Sequence, residues 1–378
     1  MSIYNTLRTG DPAPWFFQRS SGNPSFAFNA AGGRYLVLCF LGSAADPLGR
    51  EALETVKVGR RVFDDEHASY FSVTLDPADE SEGRLREDLP GLRALWDFDG
   101  LASRLYGALP MQGEVAASSA ALCRQWIVLD PTLRVIATVP FSATSSHAQR
   151  VLDYVAGLPP PARFAGVELQ APVLFLPNVF EAPLCERLIA HYEGRGGETS
   201  GFMRDVDGRT VVRHDLAFKS RKDCYVEDAE LLAAIRQRIK RRIVPEILKV
   251  HQFSATRMER DLIACYAADD GGHFRAHRDN TTKGTAHRRF AVSINLNSDF
   301  EGGEVSFPEY GPRGFKPPPG GAVVFSCSLL HAVSRVTRGR RHAFLPFLYD
   351  EEAAKIRQAN NAFLGDGVGT YHTPEPGS

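Results

Sequence analysis

At 378 residues the chain is long enough for two ordinary domains, and 43% hydrophobic with 24% charged residues is a globular composition, neither disordered nor fibrous. A formal net charge of −1 supplies no global field to draw the protein to nucleic acid or to an anionic membrane. The six cysteines (Cys39, Cys123, Cys185, Cys224, Cys265 and Cys327) include no Cys-x-x-Cys pair, which argues against a zinc ribbon, a dithiol redox motif and a dense disulfide framework.

Residues 1–10 lack the apolar core of a signal peptide, and no apolar run approaches the ~18 residues that span a bilayer. A reducing cytoplasm is the expected compartment, without a membrane partner. The basic run at 236–242 has helical spacing and reads as a solvated helix face, so no nucleic-acid partner is expected either.

In the first half, strands and helices alternate. Residues 35–41 are a continuous apolar run of strand length, as a sheet buried on both faces requires. Helical periodicity follows at 50–63, then a strand at 70–75 that closes on Asp76-Pro77, and a short helix at 101–107. Residues 125–129 and 134–139 form a strand pair joined by a turn, and 147–157 a closing helix. This order predicts a mainly parallel sheet between helices. Three prolines, Pro159 to Pro161, make a stiff extended break. The expected domains are therefore 1–160 and 161–378.

Beyond the prolines the pattern changes. Helices are predicted at 183–192 and at 229–249, the second capped by Asp228 and kinked at Pro245. Short strands follow at 260–266, 290–296, 304–307, 322–325 and 343–349, separated by Gly, Pro, Asn and Asp turns. That punctuation belongs to an antiparallel sandwich or barrel.

Several pieces of the first half stand in the order found in peroxiredoxins. They are Gly10-Asp-Pro-Ala-Pro14, Leu36-Val-Leu-Cys-Phe40, Ser72-Val-Thr-Leu-Asp-Pro77, Asp97-Phe-Asp-Gly100 with Tyr106-Gly107, and Trp126-Ile-Val-Leu-Asp-Pro131. Residues 8–157 resemble that family, which implies a thioredoxin-like α/β sandwich. The family's Pro-x-x-x-Thr/Ser-x-x-Cys loop would follow the strand at 36–41, but residues 42–50 contain no cysteine. A peroxidase needs a thiolate held at a helix N-terminus. Cys39 lies inside the apolar strand and reads as an inert thiol, and Cys123 falls outside the expected loop. A structural or partner-binding role is expected for this half.

The second half carries His277-Arg-Asp279 and, much later, His331 and Arg341. Two imidazoles and one carboxylate are the ligand set of a non-haem Fe(II) oxygenase with open positions for cosubstrate and dioxygen. One His-x-Asp pair among eleven histidines is unremarkable, and His273, His287 and His342 are unexplained neighbours. The ordered context lifts it. Tyr266 lies upstream, then come Arg289 to Asn297, Phe300-Glu-Gly-Gly-Glu304, Phe307-Pro308, Pro319-Gly-Gly-Ala-Val-Val-Phe325, Leu330-His331 and Val336 to Arg341.

That series resembles the prolyl-4-hydroxylase branch of the Fe(II)/2-oxoglutarate dioxygenases over residues 172–350. The resemblance implies a double-stranded β-helix, or jelly roll, with flanking helices. It implies His277, Asp279 and His331 as iron ligands and Arg341 as the cation for the distal carboxylate of 2-oxoglutarate. Tyr266 is implied as a hydrogen-bond donor to the same carboxylate, and Asn295 is expected to line the pocket. Arg suits the task because its planar fork takes a carboxylate bidentately, whereas Arg340 alternates to the opposite strand face. Collagen-type members carry Lys where Arg341 stands, so collagen-like substrates do not follow. The polar segment 281–288 after the metal motif reads as a substrate lid or a plain loop.

The implied activity converts 2-oxoglutarate and dioxygen to succinate and CO2 while hydroxylating an unactivated C–H bond, with ascorbate as a candidate reductant. The substrate expected is a prolyl or other residue of a protein or peptide, with a small molecule as the alternative. A non-catalytic partner-binding or oxygen- and iron-sensing protein is a second reading, and a thiol peroxidase a remote third. Assembly is open, with a homodimer as one option.

Overall fold

The computed structural model describes residues 3–143 and 146–372. The chain divides into two compact units, one of residues 1–171 with 308–312, the other of 172–307 with 313–378. No helix among the described residues is long and apolar enough to cross a membrane.

The first unit is built on five strands: β1 (Tyr35–Gly42), β2 (Ala68–Thr74), β3 (Leu92–Trp96), β4 (Gln125–Leu129) and β5 (Val135–Pro140), in spatial order β3-β2-β1-β4-β5. The β1–β2 and β2–β3 pairs are parallel, and β4 and β5 add antiparallel. Every residue of β1 is buried, and its alternate side chains feed two different cores. Leu36, Leu38 and Phe40 pack with Phe28, Phe71 and Tyr106 on one face. Tyr35, Val37, Cys39 and Leu41 pack on the other with Ala52 and Val56 of α1 (Pro47–Val58) and with Val151, Leu152 and Val155 of α3 (His147–Ala156), while α2 (Leu101–Leu105) lies between β3 and β4 in the chain. This two-sided burial explains the unbroken apolar run in the sequence. The connectivity is that of a thioredoxin-like sandwich.

Helix α1 begins three residues before its expected start. Asp46 caps it, its carboxylate accepting from the amides of Leu48 and Gly49, and Pro47 occupies the first turn. It stops at Val58, ahead of Gly59, and only a short 3-10 turn at Arg60–Val62 continues toward residue 63. The helix N-terminus after β1 thus carries a carboxylate, which Arg124 contacts at 3.0 Å. Cys39 is fully buried, and burial pushes its thiol far above the usual range. Cys123 is exposed. The full chain is therefore expected to show no thiol-dependent consumption of hydrogen peroxide. Peroxidase activity lost in Cys39→Ser or Cys123→Ser would overturn this reading.

The second unit is built on two large antiparallel sheets, with a separate two-stranded hairpin of Phe202–Val206 and Arg209–Arg213. Its elements begin with β6 (Leu174–Leu176), α4 (Ala182–Arg195), β7 (Lys219–Ser220), β8 (Lys222–Tyr225), α5 (Ala229–Arg242) and α6 (Val244–His251). They continue with β9 (Leu262–Ala267), β10 (His273–His277), β11 (Phe290–Asn295), β12 (Val305–Ser306) and β13 (Gly314–Phe315). The last are β14 (Ala322–Ser326), β15 (His331–Val333), β16 (Arg340–Phe344) and β17 (Phe347–Tyr349). One sheet contains the run β8-β9-β16-β11-β14-β6, with β17 also on β11; the other runs β7-β10-β15-β12-β13. From β9 to β16 the chain keeps crossing between the two sheets, which is the double-stranded β-helix. The larger sheet buries its outer face under the helices. Leu184, Leu188, Ile235, Ile239, Ile243 and Ile247 pack on Ile263, Val292, Ile294, Val324 and Phe344.

Two expected elements are corrected in detail. The helix expected at 229–249 breaks at Ile243, and Pro245 stands in the first turn of a separate helix, where its missing N–H is tolerated. The strand expected from residue 260 begins at Leu262, because Arg260 has a left-handed φ of 68°.

Candidate metal centre

His277 ends β10 and pairs directly with His331, the first residue of β15, across an irregularity in the ladder that follows Phe274. Asp279 lies two residues past the strand, its amide donating to the Cys327 carbonyl at 2.9 Å. The sheet thereby brings His331 to Asp279, 52 residues earlier in the chain, and to His277. His277 Nε2 lies 3.6 Å from Asp279 Oδ1, and His331 Nε2 lies 3.3 Å from Asp279 Oδ2. One ligand atom from each falls within 4.8 Å of the others, and among the described residues no other group of His, Cys, Asp and Glu is so placed.

The ring orientations are set by the backbone. His277 Nδ1 faces the Arg275 carbonyl at 2.7 Å, and His331 Nδ1 faces the Leu329 carbonyl at 3.0 Å. A carbonyl only accepts, so Nδ1 carries the proton in each ring and the Nε2 lone pairs turn toward Asp279. Phe274 stacks on His277 with centroids 3.5 Å apart, and Phe325 lies 4.7 Å from His331. Burial and the neighbouring His277 push His331 down to about 4, so it is neutral at physiological pH. Burial would raise the Asp279 carboxyl, but the adjacent His331 and His277 imidazoles and the Arg288 charge hold it well below the usual carboxylate range. Two imidazole nitrogens and one ionised oxygen fit a divalent first-row metal.

Arg341 is 1% exposed, while its neighbour Arg340 points out to solvent, as strand alternation requires. Its Nε donates to Asn295 Oδ1 at 2.9 Å and Nη2 to Ser293 Oγ at 2.7 Å, but Nη1 has no protein partner although it is buried. A buried guanidinium with one donor pair unmet is costly unless an anion completes it. Tyr266 stands opposite Arg341 in the ladder, with the guanidinium 5.3 Å from its ring centroid. The close approach needs Gly303, with a φ of 66°, where a Cβ would lie 3.0 Å from Arg341 Cδ.

Asn295 is buried beside Arg341, but its amide nitrogen donates to the Pro317 carbonyl at 2.8 Å and its oxygen serves Arg341. Both ends of its amide are thus engaged within the protein. The other histidines are engaged elsewhere: His273 with the Gly271 carbonyl, His287 with Glu259 and His342 with Glu193. In the 281–288 segment Thr282, Thr285, His287 and Arg288 are buried, and Arg288 joins Glu259 at 2.6 Å. That segment is packed in place. Sequence reasoning missed Arg221, which is 7% exposed and donates from Nη1 to the Tyr266 hydroxyl at 3.3 Å. Its only signal was a cation in the Lys-Ser-Arg-Lys run of β7 and β8, indistinguishable from a solvated strand.

Residues 262–349 match the 2OG-Fe(II) oxygenase superfamily. The second unit holds a 2OG-Fe(II) oxygenase domain. The matched stretch runs from β9 to β17 and includes His277, Asp279, His331 and Arg341. A domain of this family implies Fe(II) and 2-oxoglutarate, and the donor set and the unmet Arg341 fit both. A PKHD-type hydroxylase of Gluconobacter oxydans is 32% identical over 84 residues, 20% of this chain and 37% of that protein. The chain spans under two fifths of the length of the first two curated relatives, 37% and 39%. Among solved structures, a Pseudomonas putida prolyl-4-hydroxylase is similar at 18% identity, covering 47% of this chain and 92% of that one with a TM-score of 0.35. The peroxidoxin BcpB of Mycobacterium tuberculosis is similar at 19% identity, covering 41% of this chain and 99% of that one with a TM-score of 0.34.

Proposed function

We propose that the protein is an Fe(II)- and 2-oxoglutarate-dependent dioxygenase that hydroxylates an unactivated C–H bond, with a prolyl or other residue of a protein or peptide as substrate. The observation that carries the reading is the buried Arg341 with an unmet Nη1, on the strand opposite Tyr266 in the domain that assembles His277, Asp279 and His331. The family match over this stretch and the curated relatives named PKHD-type hydroxylases support it.

His277, Asp279 and His331 would hold the metal. When bound, Fe(II) supplies the redox chemistry by which 2-oxoglutarate, dioxygen and R–H become succinate, CO2 and R–OH. The chain's own part is binding, orientation and exclusion of water. The Arg275 and Leu329 carbonyls keep both imidazoles in the tautomer that presents Nε2. Arg341, held at two edges by Asn295 and Ser293, receives the distal carboxylate of 2-oxoglutarate. The rings of Phe274 and Phe325 shield the imidazoles from water.

The test is a search for products 16 Da heavier among peptides and metabolites of a cell lysate incubated with the full chain, Fe(II), 2-oxoglutarate and ascorbate. A modified peptide supports the reading as written. A heavier metabolite alone would replace the substrate class, and absence of succinate would overturn the activity.

A further inference from the structure

Tyr266 and Arg341 face one another in the ladder, and each is 1% exposed. The phenol has one proton to donate and lone pairs to accept, so which role it plays toward a ligand depends on its other partner. That partner is Arg221. Its Nη1 lies 3.3 Å from the phenol oxygen, and its guanidinium carbon stands 5.7 Å from the ring centroid, against 5.3 Å for Arg341. Guanidinium has no acceptor, so in this contact the phenol oxygen accepts. Its proton is then left for another acceptor, and among the described residues no protein group takes it.

Arg221 is itself fixed by Asp223. Nε lies 2.7 Å from Asp223 Oδ1 and Nη2 donates to Oδ2 at 2.7 Å, while Ser200 and Arg260 complete the carboxylate at 2.5 and 3.1 Å. The pair is buried, with Arg221 at 7% and Asp223 at 8% exposure, and Asp223 lies well below the usual carboxylate range. A cation locked against the phenol oxygen also polarises the O–H bond and strengthens its donation.

We propose that Arg221, held by Asp223, sets Tyr266 as a hydrogen-bond donor to the distal carboxylate of 2-oxoglutarate, beside the free Nη1 of Arg341. This rests on the cosubstrate reading above. The match is one of chemistry: two buried donors from facing strands, each lacking a protein acceptor, suit a group with two acceptor oxygens and no proton. Arg221 is thus a positioning residue that acts through Tyr266.

The test measures the Kd of 2-oxoglutarate for the full chain loaded with Mn(II) under anaerobic conditions, by calorimetry. Tyr266→Phe should weaken binding about tenfold, the loss of one hydrogen bond to a charged group. Arg221→Gln keeps the shape without the charge, and it offers a carbonyl that accepts the phenol proton; it should weaken binding by a similar factor. Added to Tyr266→Phe, Arg221→Gln should cost less than a further twofold. Arg221→Lys, which keeps a donor against the phenol, should stay within about threefold of the parent. Mn(II) affinity should not change in any variant. Additive losses from Tyr266→Phe and Arg221→Gln would overturn the proposal, because Arg221 would then act independently of the phenol. So would unaltered binding in a folded Arg221→Gln or a full loss in Arg221→Lys. Failure of the parent chain itself to bind 2-oxoglutarate would sink the cosubstrate reading as well, which separates the two.

Discussion

Alanine at His277 or Asp279 is expected to abolish metal binding and succinate formation while the second unit stays folded. The candidate centre offers three protein donors, and Asp279 lies 3.3 and 3.6 Å from the two imidazoles. Removing one of the three donors leaves only two, too few to hold a divalent ion tightly. Survival of the fold is expected on separate grounds. The core of the larger sheet, which includes Ile263 and Phe344, does not include His277 or Asp279; the first ends β10 and the second lies two residues beyond it. Equilibrium dialysis with Fe(II) or Mn(II) and a thermal melt measure the two halves of the prediction. Parental succinate formation in either variant would remove the metal assignment.

Arg341→Ala should raise the apparent KM for 2-oxoglutarate strongly, whereas Arg340→Ala should change it little. Losing a buried, charge-assisted pair of hydrogen bonds costs roughly 2–4 kcal/mol, or about 30- to 1,000-fold. Arg340 lies on the outward face of β16, with its nearest carboxylate, Glu193, at 3.8 Å and both side chains half in solvent. A surface pair of that kind contributes ~0–1 kcal/mol and has no path to the pocket. Steady-state kinetics at saturating dioxygen read both variants. Equal effects would mean that the strand presents the opposite face.

Much of this was legible before any coordinates. The apolar run at residues 35–41, the helix opening after Asp228, and the Gly-rich turns of the second half each follow from local preferences that a short window contains. The elements went astray where the backbone took a conformation that periodicity does not encode. Arg260 adopts a left-handed φ, so β9 starts later than its side chains suggest. Ile243 is buried between two helices, so one apolar stripe reads as one helix although Pro245 opens a second.

The sequence by itself determined the identity of the chemistry. His-x-Asp, a distant His and an Arg ten residues further on name the donor atoms, because residue type and order are properties of the chain. It also excluded a thiol nucleophile from residues 42–50, since a missing side chain needs no structure to be seen. Tertiary structure alone decided which polar side chains serve the site. Strand pairing sets His277 against His331 and Tyr266 against Arg341. It sends the Asn295 amide to Arg341 and Pro317, and it brings Arg221 against the phenol from 45 residues away. Those contacts run across sheets between residues remote in sequence. A hydrogen bond depends on a distance of about 3 Å and an angle, and neither is written in the spacing of the residues that make it.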